Sequence, residues 1–154
     1  ILETLSNIIV SPLLSCFNNF SHCGLLCVVP VKNSLIIVAL GSNHDAHNAI
    51  ASAIERLKDF IYNIQPTRML DNGSVGFIIP CIFTNALVKG YTELGKEELE
   101  RQLKLIEKEL GRSEEKDSTG IIALDLDLLK YDEVILHAND WNREYIKILF
   151  KELG

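Results

Sequence analysis

Asp125 and Asp127 stand two residues apart in the run Ala123-Leu124-Asp125-Leu126-Asp127-Leu128-Leu129. In an extended chain, successive side chains alternate between faces. Both carboxylates therefore fall on one face, with Leu124, Leu126 and Leu128 on the other. Two close carboxylates resist ionising together unless a cation sits beside them. Hard oxygen donors favour Mg²⁺, above all an Mg²⁺ shared with nucleotide phosphates. The same alternation also fits an amphipathic strand whose acidic side faces water. Two other clusters have donor atoms but weaker spacing. His44 and His47 lie three apart with no acidic or cysteine partner at a matching offset, which reads as a solvated helix entrance. His22-Cys23-x3-Cys27 has no second half of a zinc site, so its cysteines, with Cys16, read as small buried hydrophobes.

The elements that would carry these residues are legible from Ser34 onward. Ser34 to Leu40 is a β-branched apolar run ending at Gly41, a buried strand. Asn43 or Asp45 can cap a helix reaching about Asn63, with Ala46, Ile50, Ile54, Leu57 and Ile61 on one face. Ile64 to Leu70 contains Pro66 and reads as an edge strand; Asp71-Asn72-Gly73 reads as a turn. A further strand is expected around Gly76 to Leu87, disturbed by Pro80. The clearest helix is Lys96 to Leu110, striped by Leu99, Leu103, Ile106 and Leu110 and ended by Gly111. A polar loop from Arg112 to Thr119 follows. Then come a strand from Ile121 to Leu129, an extended piece at Glu133 to Leu136, and a helix from Asn139 or Asp140 through Leu153. Strand, helix, strand, strand, helix, strand, helix, with the helices laid on one face, predicts an α+β ferredoxin-like sandwich with a mostly antiparallel sheet.

The chain of 154 residues accommodates one core, and we expect a single domain over residues 33–154. Residues 1–32 read as an apolar extension in which only Glu3 and Lys32 are charged. Pro12, Asn18, Asn19, His22 and Pro30 interrupt it, so no run of about 20 clean apolar residues remains to span a membrane. No basic segment of a secretory signal precedes it, and the cytoplasm is the expected compartment. A net charge of −6 argues against a nucleic-acid partner held by bulk electrostatics. Phosphates would have to be met by a few placed cations or by metal ions. A monomer or weak homo-oligomer is expected.

Three stretches, taken in order, resemble the 6-hydroxymethyl-7,8-dihydropterin pyrophosphokinases. They are Val38-Ala39-Leu40-Gly41-Ser42-Asn43, then Phe83-Thr84-Asn85-Ala86, and then the block from Glu97 through Glu107-Lys108-Glu109-Leu110-Gly111-Arg112 followed by Ala123 to Leu129 and Tyr131-Asp132. The resemblance implies transfer of pyrophosphate from ATP to a pterin alcohol in folate biosynthesis, with release of AMP. It implies that Asp125 and Asp127 hold two Mg²⁺ ions and that Arg112 acts with them in catalysis. Glu107, Arg112, His137 and Arg143 would serve ATP. Phe83 and Tyr145 would stack on the pterin while Asn85 reads its polar edge. Phe83 also fits plain core, and Trp141 fits an anchor for the last helix.

The chain also departs from that pattern. Where the family's loop carries basic residues and a tryptophan, Ser113-Glu114-Glu115-Lys116-Asp117-Ser118-Thr119-Gly120 has one lysine and three acids, and Ile122 replaces an arginine. Acids there repel a triphosphate. The stretch from Asp127 to His137 is short, and the proline-rich pterin loop before Phe83 is missing. These departures favour a second reading, a ferredoxin-like module that binds a pterin or nucleotide without turning it over. The paired aspartates favour the enzyme.

Overall fold

The computed structural model describes residues 31–73 and 81–154. Lys32–Gly154 form one unit around a six-stranded sheet in which every pairing is antiparallel. Its strands are β1 (Ser34–Ser42), β2 (Tyr62–Pro66), β3 (Leu70–Gly73), β4 (Ile82–Thr92), β5 (Asp125–Tyr131) and β6 (Val134–Ile135). The order is β2-β4-β1-β5-β6, with β3 also pairing β4. Four helices accompany them: α1 (Ala46–Leu57), α2 (Lys96–Glu109), α3 (Glu114–Ser118) and α4 (Glu144–Phe150). This is the expected α+β sandwich of ferredoxin-like kind.

Alternation along the strands separates two apolar layers. Ile36, Val38, Leu40, Leu124, Leu126 and Leu128 bury against Ile50 and Leu57 of α1 and Leu99, Leu103 and Ile106 of α2. Ile37, Ala39, Leu87 and Leu129 face the other way, against Ile146 and Leu149 of α4. The expectation of helices on one face therefore holds for α1 and α2, while α4 covers the opposite face. No helix among the described residues is long and apolar enough to cross a membrane.

Several boundaries differ from the sequence reading. Helix α1 stops at Leu57 rather than near Asn63, because the chain must turn to bury Ile61 and enter β2. Pro66 does lie on an edge strand, but Asp71-Asn72-Gly73 is strand rather than turn. Its side chains bond to β4: the Thr84 hydroxyl donates to Asp71 Oδ1 at 2.6 Å, and the Asn85 amide donates to Asn72 Oδ1. Strand β4 runs on to Thr92, and the expected start at Gly76 and the Pro80 irregularity lie outside the described residues. The expected loop after Arg112 contains α3, where the Ser113 hydroxyl accepts the Lys116 N–H as a cap and the acids sit where a helix N-terminus favours them. Strand β5 begins at Asp125 rather than Ile121. The last helix is broken into a 3-10 turn at Asp140–Asn142, α4, and a second 3-10 turn at Lys151–Leu153. Residues 1–30, with Cys16, Cys23 and Cys27, lie outside the described residues.

Candidate active site

The sheet register builds the site. Gly41 in β1 pairs with Asn85 of β4 on one side and Asp125 of β5 on the other; Ala39 pairs with Asp127. Asn85 and Asp125 thus flank a residue with no side chain, two strand spacings or roughly 10 Å apart. A Cβ at Gly41 would lie 3.2 Å from Asn85 Oδ1, so glycine leaves that amide its room. Asp125, Asp127, Asn85, Phe83, Arg143, Tyr145 and Asp140 share a recess of about 90 Å³ on the α4 face. Phe83, Asn85, Arg143 and Tyr145 continue from it into a larger cavity of about 590 Å³, closed by Leu70, Asn72 and Ile148. The carboxylate pair therefore opens onto a space walled by two aromatic rings with a buried amide between strands.

Electrostatics set the two aspartates apart from ordinary surface acids. Burial pushes the Asp127 carboxyl above its usual pKa and the charge of Asp125 adds to the rise, while Lys104 and His137 oppose it. Arg112 donates from Nη1 to Asp125 Oδ1 and from Nε to Asp117 Oδ2 at 3.1 Å. Its Nη1 also lies 3.3 Å from Glu107 Oε2. Burial alone would lower the guanidinium pKa, but bonds to Asp125 and Asp117 and the charge of Glu107 raise it above the usual arginine value. Glu107, only 3% exposed, accepts from the Leu126 N–H and the Lys104 ammonium, each at 2.7 Å. Lys104 also reaches the Leu126 carbonyl at 3.4 Å, and Arg112 the Leu124 carbonyl at 3.4 Å. The end of α2 is thereby stitched onto the stretch of β5 that β6 leaves unpaired.

The segment after β6 brings the remaining candidates to the same side. His137 takes a left-handed backbone, φ 50°, an uncommon conformation that histidine adopts more readily than most residues. Its Nδ1 lies 4.0 Å from Asp140 Oδ2, and Arg143 Nε donates to Asp140 Oδ1 at 2.9 Å. Asp140 thus gathers the histidine and the arginine. Tyr145 is half-buried on α4; burial raises its phenol pKa, and Arg143 counters the rise. Trp141 donates to the Leu136 carbonyl at 3.0 Å and packs edge-on against Phe150 at 5.3 Å, anchoring the last helix. His44 and His47 stand away from this recess, with His47 Nε2 3.6 Å from Asp71.

Residues 37–154 match the family described as 7,8-dihydro-6-hydroxymethylpterin-pyrophosphokinase (HPPK). The chain belongs to this family. A 2-amino-4-hydroxy-6-hydroxymethyldihydropteridine pyrophosphokinase of Aquifex aeolicus is 35% identical over 102 residues, covering 65% of this chain and 63% of that protein. A folate synthesis bifunctional protein of Arabidopsis thaliana is 31% identical over 129 residues, 72% of this chain and 25% of the relative. A protein of Porphyromonas gingivalis with the same name as the Aquifex one is 27% identical over 135 residues, 79% of this chain and 91% of its own length. The chain thus spans a quarter of the plant protein and just under two thirds of the Aquifex one.

Within this HPPK frame, three residues have jobs that the sequence did not suggest, among them Asn43, which holds the segment before β5 rather than capping α1, whose N-cap position is Asp45. Ser42, fully buried, donates to the Ala123 carbonyl at 2.7 Å. Asn43 donates to the Gly120 carbonyl and accepts from the Ile122 N–H, both at 2.7 Å. Together they hold the segment leading into β5, which lacks a ladder of its own there. Lys104 is the third, with Nζ 4.0 Å from Asp127 Oδ1. Its place was readable from the helical period: Lys104 stands three residues before Glu107, on the same side of α2.

Proposed function

We propose that this HPPK-family chain transfers pyrophosphate from ATP to 6-hydroxymethyl-7,8-dihydropterin, giving AMP and the pterin diphosphate. The observation that carries this reading is the adjacency of the Asp125–Asp127 recess to the cavity walled by Phe83 and Tyr145. A flat heteroaromatic alcohol and a charged phosphate chain need those two surroundings side by side. The printed names of the relatives, pyrophosphokinases and folate synthesis proteins, favour the same substrates.

The acid pair fits divalent metal. Among the described residues no third carboxylate, histidine or cysteine completes a metal cage with them. Two hard oxygen donors with the other positions left to phosphate and water is the usual way Mg²⁺ is held. Asp125 and Asp127 would hold the ions, two of them in our reading. When bound, such ions neutralise phosphate charge and favour departure of AMP. The protein's own part is positioning and charge. Phe83 and Tyr145 would hold the pterin ring, and Asn85, with its amide donating to Asn72, would read the polar edge through its oxygen. Arg112, Arg143 and His137 would face the phosphates. Glu107 would serve ATP indirectly, by fixing Arg112 and Lys104.

The acidic α3 favours the second reading, a module that binds without turnover. Incubation of the chain with ATP, Mg²⁺ and the pterin alcohol separates the two. Pterin-dependent AMP supports the enzyme; pterin and nucleotide binding with no AMP supports the module. We place the reaction in the cytoplasm, carried by a monomer or weak homo-oligomer, with no nucleic acid or membrane as partner.

A further inference from the structure

A triphosphate entering this recess needs cations that are free to meet it, and most of the described ones beside the recess are already engaged. Arg112 is shared among Asp125, Asp117 and Glu107. Arg143 is bonded to Asp140. Lys116, the single base of the acidic segment, turns to the Gly111 carbonyl at 3.0 Å and lines a different recess with His44 and Asp45. Glu114 and Glu115 are exposed and add negative charge nearby.

Lys104 is paired as well, with Glu107 and the Leu126 carbonyl, but it is a lysine that also approaches Asp127. Its ammonium sits 2.7 Å from Glu107 Oε1 and 4.0 Å from Asp127 Oδ1, at the open edge of β5, with the side chain 54% exposed. An ion pair that open to water adds little to stability. Its four-carbon stem is flexible and carries a compact charge with three donors, suited to phosphate oxygens arriving from solvent. Glu107, by contrast, is fixed by the Leu126 N–H and Arg112, so it keeps Lys104 near the aspartates without needing it to hold the fold.

We propose that Lys104 is a phosphate-binding residue of this site, contacting ATP beyond its α-phosphate from the α2 side of Asp127. The inference rests on the ATP reading above and names a group that reading did not include. Calorimetric titration of the full chain with MgATP and with AMP, for the parent and for Lys104→Gln and Lys104→Arg, tests it. Gln keeps a donor for Glu107, and Arg keeps the charge. The expected result is about a tenfold loss of MgATP affinity in Lys104→Gln, the size of one charged hydrogen bond. Lys104→Arg should retain most of the affinity, and AMP binding should be unchanged in both variants. Parent-like MgATP affinity in Lys104→Gln overturns the proposal. So does an equal loss for AMP and MgATP, which makes Lys104 a support for the shape of the site. A parent chain that binds no MgATP overturns the ATP reading itself and this assignment with it.

Discussion

Glu107 accepts the backbone N–H of Leu126, the residue between the two aspartates, at 2.7 Å. The spacing of the carboxylates along β5 is thereby tied to the last turns of α2. Glu107→Ala should orphan that N–H, a cost of about 1–3 kcal/mol. The freed, partly exposed Lys104 and Arg112 should add less, because water screens them. Glu107→Gln keeps an acceptor and should be milder. Urea unfolding of the two variants checks this ordering.

Asp127 gives a pH prediction with a definite sign. Its carboxyl pKa is raised in the fold by burial and by Asp125. Between the ordinary carboxylate value and the raised one, the folded state therefore binds more protons than the unfolded chain. This group's contribution to stability then falls as pH rises through that window. In metal-free protein, Asp127→Asn should melt higher than the parent at neutral pH. The difference should vanish at pH below the ordinary carboxylate range. Thermal melts in chelator across pH measure both.

The two ring walls can be tested separately. Each should contribute about 0.5–1.5 kcal/mol of stacking beyond its buried area. Tyr145→Leu and Phe83→Leu should then weaken pterin binding several-fold to roughly tenfold, with MgATP affinity changing much less. Tyr145, at the start of α4, is the cleaner test; Phe83 lies within β4 and needs a parallel melt. Fluorescence titration with the pterin alcohol reads the effect.

Asn43 secures Gly120 and the Ile122 N–H through its side chain, while its own backbone N–H donates to the Ile122 carbonyl at 3.0 Å. Asn43→Ala should leave the Ile122 N–H without that partner, at a cost of about 1–3 kcal/mol. Amide exchange should quicken at residues 120–123 while the amides of α2 stay protected. Equal quickening in both segments would contradict a local clamp.

What could be read from the sequence follows from what depends on local pattern. The acid pair of β5 was legible because strand alternation alone puts Asp125 and Asp127 on one face. The stripe of α2 was legible because Leu99, Leu103 and Ile106 repeat at helical spacing. Strand β3 was hidden, since Asp71-Asn72-Gly73 has turn composition and becomes strand only by pairing with β4, where its side chains also bond Thr84 and Asn85. The work of Ser42 and Asn43 was hidden for the same reason, as their partners lie about eighty positions away. The place of Lys104 beside Glu107 follows from helical spacing, but its approach to Asp127 was hidden until β5 was laid against α2.

The central claim is that the Asp125–Asp127 recess and the ring-walled cavity form one site for pyrophosphate transfer. The most direct measurement is AMP release from ATP in Mg²⁺, with and without 6-hydroxymethyl-7,8-dihydropterin, for the parent chain and for Asp125→Ala and Asp127→Ala. The account predicts AMP only when the pterin is present, and none above background from either variant while both still fold. AMP release that does not depend on the pterin, or that survives loss of either aspartate, would contradict it.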